Sequence, residues 1–173
     1  MVKNKLEKLF SESMHSDKEL WAMKLISNPL THQNTPADYI IDYLKETPIF
    51  PGEEGDVIKE LRLILLECKM VTLDEEDKGR FAFKRLKQMH DLINFENMRP
   101  SHHRSYFCIA FWAGRWDKSE IYIIPVHTME RLVGLFSLKL NKVSINREEA
   151  KIHLNQFKAG LIGGLIDLDL IKQ

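Results

Sequence analysis

The sequence predicts a single mixed α/β domain, a β-sheet flanked by helices. Three observations lead there. Apolar residues fill both faces of Leu61–Val71, as in a strand covered on two sides. Runs at 38–44, 106–112 and 120–126 have strand composition. Apolar residues at helical spacing recur before, between and after these runs. A length of 173 residues suits one domain, 1–173, with a substantial core.

In chain order, residues 3–27 predict helix. Leu6, Leu9, Phe10, Met14, Leu20, Met23 and Ile26 recur at near-helical spacing, and Ser16 or Asp17 could cap a second helix. Two prolines make Asn28–Pro36 a connector. Asp38–Leu44 predicts a strand, and the prolines and glycines of Lys45–Asp56 a long turn. After the strand Leu61–Val71 and the polar loop Asp74–Arg80, Phe83–Phe95 predicts a helix. Tyr106–Trp112 and Glu120–Val126 read as two strands of a hairpin joined by residues 113–119. Thr128–Phe136 predicts a short helix. The tail Arg147–Ile171 has helical pattern, with Gly160, Gly163 and Gly164 as interruptions or points of close packing.

Composition narrows the function classes only a little. The 44% hydrophobic and 29% charged fractions are those of an ordinary globular protein. No apolar run approaches the ~20 residues of a membrane helix, and the start lacks the apolar stretch of a secretory signal. A cytoplasmic location is therefore expected. Cys68 and Cys108 both fall in apolar strand-like runs. A disulfide is open to them in principle, but reduced core thiols are the expected state. Lys and Arg number 25 against 25 Asp and Glu, so net charge argues for no polyanionic partner. A basic face is still compatible with a neutral total.

The chemistry-bearing constellation is Glu67 with Lys69. Side chains two apart on a strand share a face, so an acid and an amine stand side by side on a strand whose earlier positions are core-like. Two solvated charges at a strand end would be the bland explanation, since Glu-x-Lys is common by chance. The functional one is a hard cation. Magnesium takes one or two carboxylates plus phosphate oxygens, and a neighbouring ammonium stabilises developing negative charge. A second acid is then needed, and Asp38, opening the preceding strand, can supply it.

Five segments resemble the RecU-like Holliday-junction resolvases of the PD-(D/E)XK nuclease superfamily. Asn4–Ser13 resembles the family's first helix, with Glu7 followed six positions later by Ser13. Thr35-Pro36-Ala37-Asp38-Tyr39-Ile40 resembles the opening of the first catalytic strand. Leu65-Leu66-Glu67-Cys68-Lys69 matches the Glu-x-Lys strand. Phe81–His90 is similar to the following loop and helix, and Tyr106–Pro125 to the last strand pair. The resemblance implies a restriction-endonuclease-like fold and a magnesium-dependent endodeoxyribonuclease, with manganese as substitute metal. It implies branched DNA as substrate, in recombination or repair, and a homodimer that makes two symmetric cuts.

Carried across residue by residue, it implies Asp38 and Glu67 as metal ligands, Lys69 beside the nucleophilic water and Glu7 near the metal from the first helix. The glutamine that relatives carry in the helix after the catalytic strand falls near Gln88 or His90. The 29 positions from Asp38 to Glu67 exceed the family's usual separation, which reads as an insertion at about 45–60, a plain longer hairpin ahead of a DNA-contacting protrusion. That insertion contains Asp56, a rival first acid 11 positions before Glu67. Two alternatives remain in view: another nuclease of the superfamily (phage, restriction or defence), or a non-catalytic DNA- or protein-binding module on the same fold.

Lys78, Arg80, Lys84, Arg85 and Lys87 form the densest basic stretch, where a DNA backbone could pass, though a solvated helix face reads equally well. His102-His103-Arg104 lacks further ligands at metal-binding spacing and reads as a polar loop. Trp112 and Trp116 read as hairpin packing before base stacking.

Overall fold

The structure, a computed structural model, describes residues 4–25, 37–48, 57–73 and 79–173. Helix α1 (Asn4–Ser16) is followed by strands β1 (Leu20–Lys24), β2 (Tyr39–Pro48) and β3 (Val57–Thr72). Short strand β4 (Arg80–Ala82), a 3-10 turn (Phe83–Arg85) and α2 (Met89–Met98) lead to β5 (His103–Trp112) and β6 (Glu120–Pro125). Helix α3 (Val126–Gly134) passes into a π-helical turn (Leu135–Lys139), then β7 (Ser144–Asn146) and α4 (Arg147–His153). The chain closes with β8 (Lys158–Ala159), β9 (Leu161–Ile162), β10 (Leu165–Ile166) and α5 (Asp169–Lys172).

Six strands form the main sheet in the order β1-β2-β3-β5-β6-β8. Only the central β3–β5 pair is parallel, so the sheet is mixed. The crossover between those two strands carries β4, the 3-10 turn and α2. Alternation divides the core into two layers. Tyr39, Ile41, Ile64, Leu66 and Cys68 face α1, whose Leu6, Leu9, Phe10 and Met14 cover them. Leu65, Phe107, Ile109, Tyr122 and Ile124 face the other way, under Leu92 of α2 and Met129 and Leu132 of α3. Apolar cover on both sides of β3 and β5 accounts for their unbroken hydrophobic sequences.

Several elements differ from the sequence expectation. The helix expected over 3–27 ends at Ser16, and Leu20–Lys24 is the edge strand, paired with β2 from Leu20↔Tyr43 to Lys24↔Tyr39. Helix Phe83–Phe95 is split, because β4 and the 3-10 turn precede α2. The expected helical tail 147–171 is α-helical at Arg147–His153 and Asp169–Lys172, with a 3-10 turn at Asn155–Phe157 and short strands between. Gly163 and Gly164 have φ of 60° and 86°, the left-handed region that turns β9 back onto β10. The described ends of the 45–60 segment are strand: Lys45 pairs with Glu60 and Glu46 with Lys59, so β2 and β3 run on as a two-stranded ribbon to Pro48↔Val57, and residues 49–56 lie outside the described residues. Among the described residues, no helix is long and apolar enough to cross a membrane.

Candidate active site

The β2–β3 register brings the two acids together. Its last pair is Tyr39↔Leu66, and Asp38, the residue just before that pair, meets the Glu67-Cys68-Lys69 run with its side chain. Backbone bonds fix Asp38 between two strands: its N–H donates to the Leu66 carbonyl (3.0 Å), and its carbonyl accepts from Leu25 N–H (2.8 Å). Its carboxylate Oδ2 accepts the Cys68 N–H at 2.7 Å, a ladder amide in the middle of the Glu67-Cys68-Lys69 run. The Asp38–Glu67 separation in sequence is thus the length of a long hairpin, and the hairpin is what closes it in space.

Glu67 is 2% exposed. Lys69, two residues on and on the same face, donates from Nζ to Glu67 Oε1. Burial pushes the Glu67 carboxyl up to about 7; the Lys69 ammonium pulls it down, and the Asp38 charge raises it again. Asp38 is raised too, by burial first, with the Cys68 amide opposing and the Glu7 charge adding. A buried and a half-buried carboxylate therefore adjoin, with the Lys69 ammonium on Glu67 and the Lys24 charge also acting on Asp38. The notch is short of positive charge.

Glu7 lies on the α1 side. Lys24 Nζ donates to its Oε2 at 2.5 Å, and its backbone carbonyl accepts from the Tyr39 hydroxyl at 2.8 Å. It lines a cleft of about 370 Å³ with Lys8, Ser11, Glu12, Lys24 and Tyr39. Its field reaches Asp38, while its carboxylate is engaged by Lys24, whose own pKa that contact raises.

Among the described residues, no group of three or more His, Cys, Asp and Glu side chains is arranged to hold a metal ion. The donor set at the notch is two carboxylates. It fits a hard cation such as magnesium, which needs no more from the protein, and does not fit zinc, which takes three or four nitrogen or sulfur donors. Asp56 and Lys78 lie outside the described residues.

Of the basic stretch, Arg80, Lys84 and Lys87 are exposed. Arg85 is half-buried: its guanidinium donates to the Met70 carbonyl at 2.9 Å and lies 5.6 Å from the Phe81 ring centre, tying the 3-10 turn to β3 next to Lys69. Gln88 precedes α2 with Oε1 buried and without a hydrogen-bond partner, whereas His90 is exposed and contacts Asn94.

His103 stacks on Phe95 at 4.2 Å and bonds its carbonyl, a packing role. Trp112 and Trp116 pack edge to face at 4.5 Å. Cys68 and Cys108 are free, buried and opposite each other across β3–β5.

Sequence reasoning missed a second buried acid, Glu120 at the start of β6. It accepts from Arg147 (3.0 Å) and Lys158 (3.3 Å). No spacing marks it, because its partners come from α4 and β8, far along the chain. Scans of this chain against models of known protein families and against curated proteins return no match.

Proposed function

We propose that this protein is a magnesium-dependent DNA endonuclease on a restriction-endonuclease-like fold, acting on branched DNA as a homodimer. One observation supports the reading above all: Asp38 and Glu67 adjoin in a buried notch with Lys69 on Glu67, a juxtaposition that raises both acids and that a divalent cation relieves. Such an arrangement is costly unless it is used.

In this reading Asp38 and Glu67 hold the ion, and manganese can replace magnesium. Held by these two carboxylates, a divalent cation would supply Lewis-acid chemistry toward a phosphate and a water of lowered pKa. The Cys68 amide keeps the Asp38 carboxylate oriented, while burial of Glu67 keeps bulk water from screening the charge it presents. Lys69 exchanges its contact with Glu67 for the phosphate or the water, and its ammonium steadies the charge that develops on the non-bridging oxygens. Arg80, Lys84 and Lys87 follow β3 in sequence and contact the phosphate backbone beside the cut. Glu7, bound to Lys24, acts from α1 as a positioning group, its charge and that of Lys24 both reaching Asp38.

The test is cleavage of labelled four-way junctions, flaps, duplexes and single strands in magnesium. Asp38→Asn, Glu67→Gln and Lys69→Met should each remove cleavage while leaving the circular dichroism spectrum unchanged. Full activity in any of the three ends the reading. A second reading is favoured by the two-carboxylate donor set and by the Lys69–Glu67 contact, namely a DNA-binding module without catalysis. It predicts junction binding with no product under magnesium or manganese.

A further inference from the structure

In a chain with equal numbers of acids and bases, the bases are unevenly placed. Residues 79–90 contain Arg80, Lys84, Arg85 and Lys87 and no acid; residues 131–147 contain Arg131, Lys139, Lys142 and Arg147 and no acid, although Lys142 pairs with Glu149 and Arg147 with Glu120, which leaves Lys84 and Lys139 as the cations beside the loop that follows. The fold joins the two segments. β4 pairs antiparallel with β7 from Arg80↔Asn146 to Ala82↔Ser144, and Phe83 N–H donates to the Val143 carbonyl at 2.9 Å.

Between the π-helical turn and β7 the chain makes a projecting knob. Residues 137–143, Ser-Leu-Lys-Leu-Asn-Lys-Val, are all exposed, and three of them are large and apolar: Leu138 at 87%, Leu140 at 47% and Val143 at 77%. The knob is anchored. The amides of Leu140 (3.2 Å) and Lys142 (2.9 Å) both donate to the Phe136 carbonyl, and Asn141 turns the chain at φ 50°. Phe136 itself is fully buried, edge-on to Phe83 and His153. Backbone geometry thus holds an apolar tip out in water, a position that folding alone does not favour.

The knob is tied to β3, the strand that carries the notch, through the 3-10 turn. Lys69 is followed by Met70, whose carbonyl takes Arg85; Arg85 ends the 3-10 turn that begins at Phe83; and Phe83 holds Val143. Exposed Lys84 and Lys139 flank this path, and among the described residues neither forms an ion pair.

We propose that loop 137–143 is a wedge for unstacked bases at a DNA branch point. Leu138 and Val143 cover base faces, while Lys139 and the neighbouring Lys84 hold the flanking phosphates. The combination selects DNA chemically: the surrounding cations call for a polyanion, and the apolar tip calls for a face that intact duplex keeps stacked and a branch point exposes. The wedge rests on the nuclease reading and supplies what that reading lacks, a reason for preferring branched over linear DNA.

The experiment measures binding of the full chain in EDTA, by fluorescence anisotropy, to a four-way junction and to a duplex of the same arm sequence. A 2-aminopurine at the branch reports unstacking. Wild type should prefer the junction and raise the 2-aminopurine signal. The double variant Leu138→Ser/Val143→Ser should lose roughly tenfold in junction affinity, keep its duplex affinity and its melting temperature, and abolish the signal. Lys139→Ala should weaken both probes alike. A double variant that retains the junction preference and the signal overturns the wedge, and so does one that weakens duplex and junction equally. If wild type binds neither DNA, the nuclease reading falls and takes the wedge with it; if wild type binds and cuts junctions as well as the double variant does, only the wedge falls.

Discussion

Replacing Glu67 by Gln should stabilise the metal-free protein at alkaline pH while destroying its proposed activity. The folded protein binds the Glu67 proton more tightly than the unfolded chain, with the pKa moved from 4.5 to about 7. Stability from this group is therefore fully present below about 4.5, falls as pH rises through the interval to about 7, and is flat above it. The full loss corresponds to about 3 kcal/mol at 1.36 kcal/mol per pKa unit. Gln carries no charge to bury, but it leaves the Lys69 ammonium with a weaker partner, so the net gain at pH 8 is nearer 1–3 kcal/mol. In a chain of this size that is roughly 3–10 °C in melting temperature.

Calorimetric scans in EDTA at pH 5 and pH 8 measure it. The variant should melt close to wild type at pH 5 and above it at pH 8. Magnesium at pH 8 should then raise wild type and leave the variant unmoved. A variant that melts several degrees below wild type at pH 8 would refute the reasoning. Glu67 and Lys69 would in that case be a self-sufficient structural ion pair, and the shortage of positive charge would not exist.

Three other outcomes follow from the packing. Ser13→Ala should cost about 1–3 kcal/mol in urea unfolding, because the hydroxyl donates to Leu9 and accepts the Ile166 amide in a buried site, tying α1 to β10. Glu120→Gln should destabilise the protein at neutral pH. Burial raises that carboxyl but Arg147 and Lys158 outweigh it, so the folded pKa is depressed. Its contribution is present above the unfolded value of 4.5 and lost as pH falls through the folded one, and wild type and variant should converge in acid melts. Lys84→Ala/Lys87→Ala should reduce the slope of log affinity for DNA against log salt by about 1–2, the signature of lost phosphate contacts.

The sheet's centre was legible because β3 carries apolar residues on both faces over more than a helical turn's ambiguity. The edge was not. Leu20, Met23 and Ile26 satisfy a helical period, while Trp21 and Met23 also alternate as the exposed positions of a strand, and a five-residue run cannot choose between the two. Pairing with β2 decides it, and pairing is invisible to local pattern. The tail failed for a related reason: its Leu and Ile residues keep helical spacing, but the helix ends at His153 and the chain beyond pairs as short strands, with Gly163 and Gly164, marked in the sequence as interruptions, turning β9 onto β10.

The acids were legible as types and, in part, as a pair. Pro-Ala-Asp-Tyr-Ile marks Asp38 as a strand opening, and Glu67-Cys68-Lys69 marks alternate positions on one face. Their 29-position separation read as a longer hairpin between the two motifs rather than a DNA-contacting protrusion. What local sequence could not supply was how far that hairpin is paired, because length between two motifs does not distinguish a loop from a ribbon. In an antiparallel hairpin, however, each added rung lengthens the intervening chain by two residues and leaves the base pair of positions where it was. Rungs such as Lys45↔Glu60 and Glu46↔Lys59 extend the ribbon outward without moving Asp38 from Glu67. Shortening the ribbon by matched pairs should therefore preserve the notch, whereas removing a single residue from one strand shifts the register by one and takes Asp38 away from Glu67. Magnesium-dependent stabilisation of the matched deletion, with its loss in the unmatched one, would measure that difference directly. Equal stabilisation of both would mean that the register does not hold the two acids together.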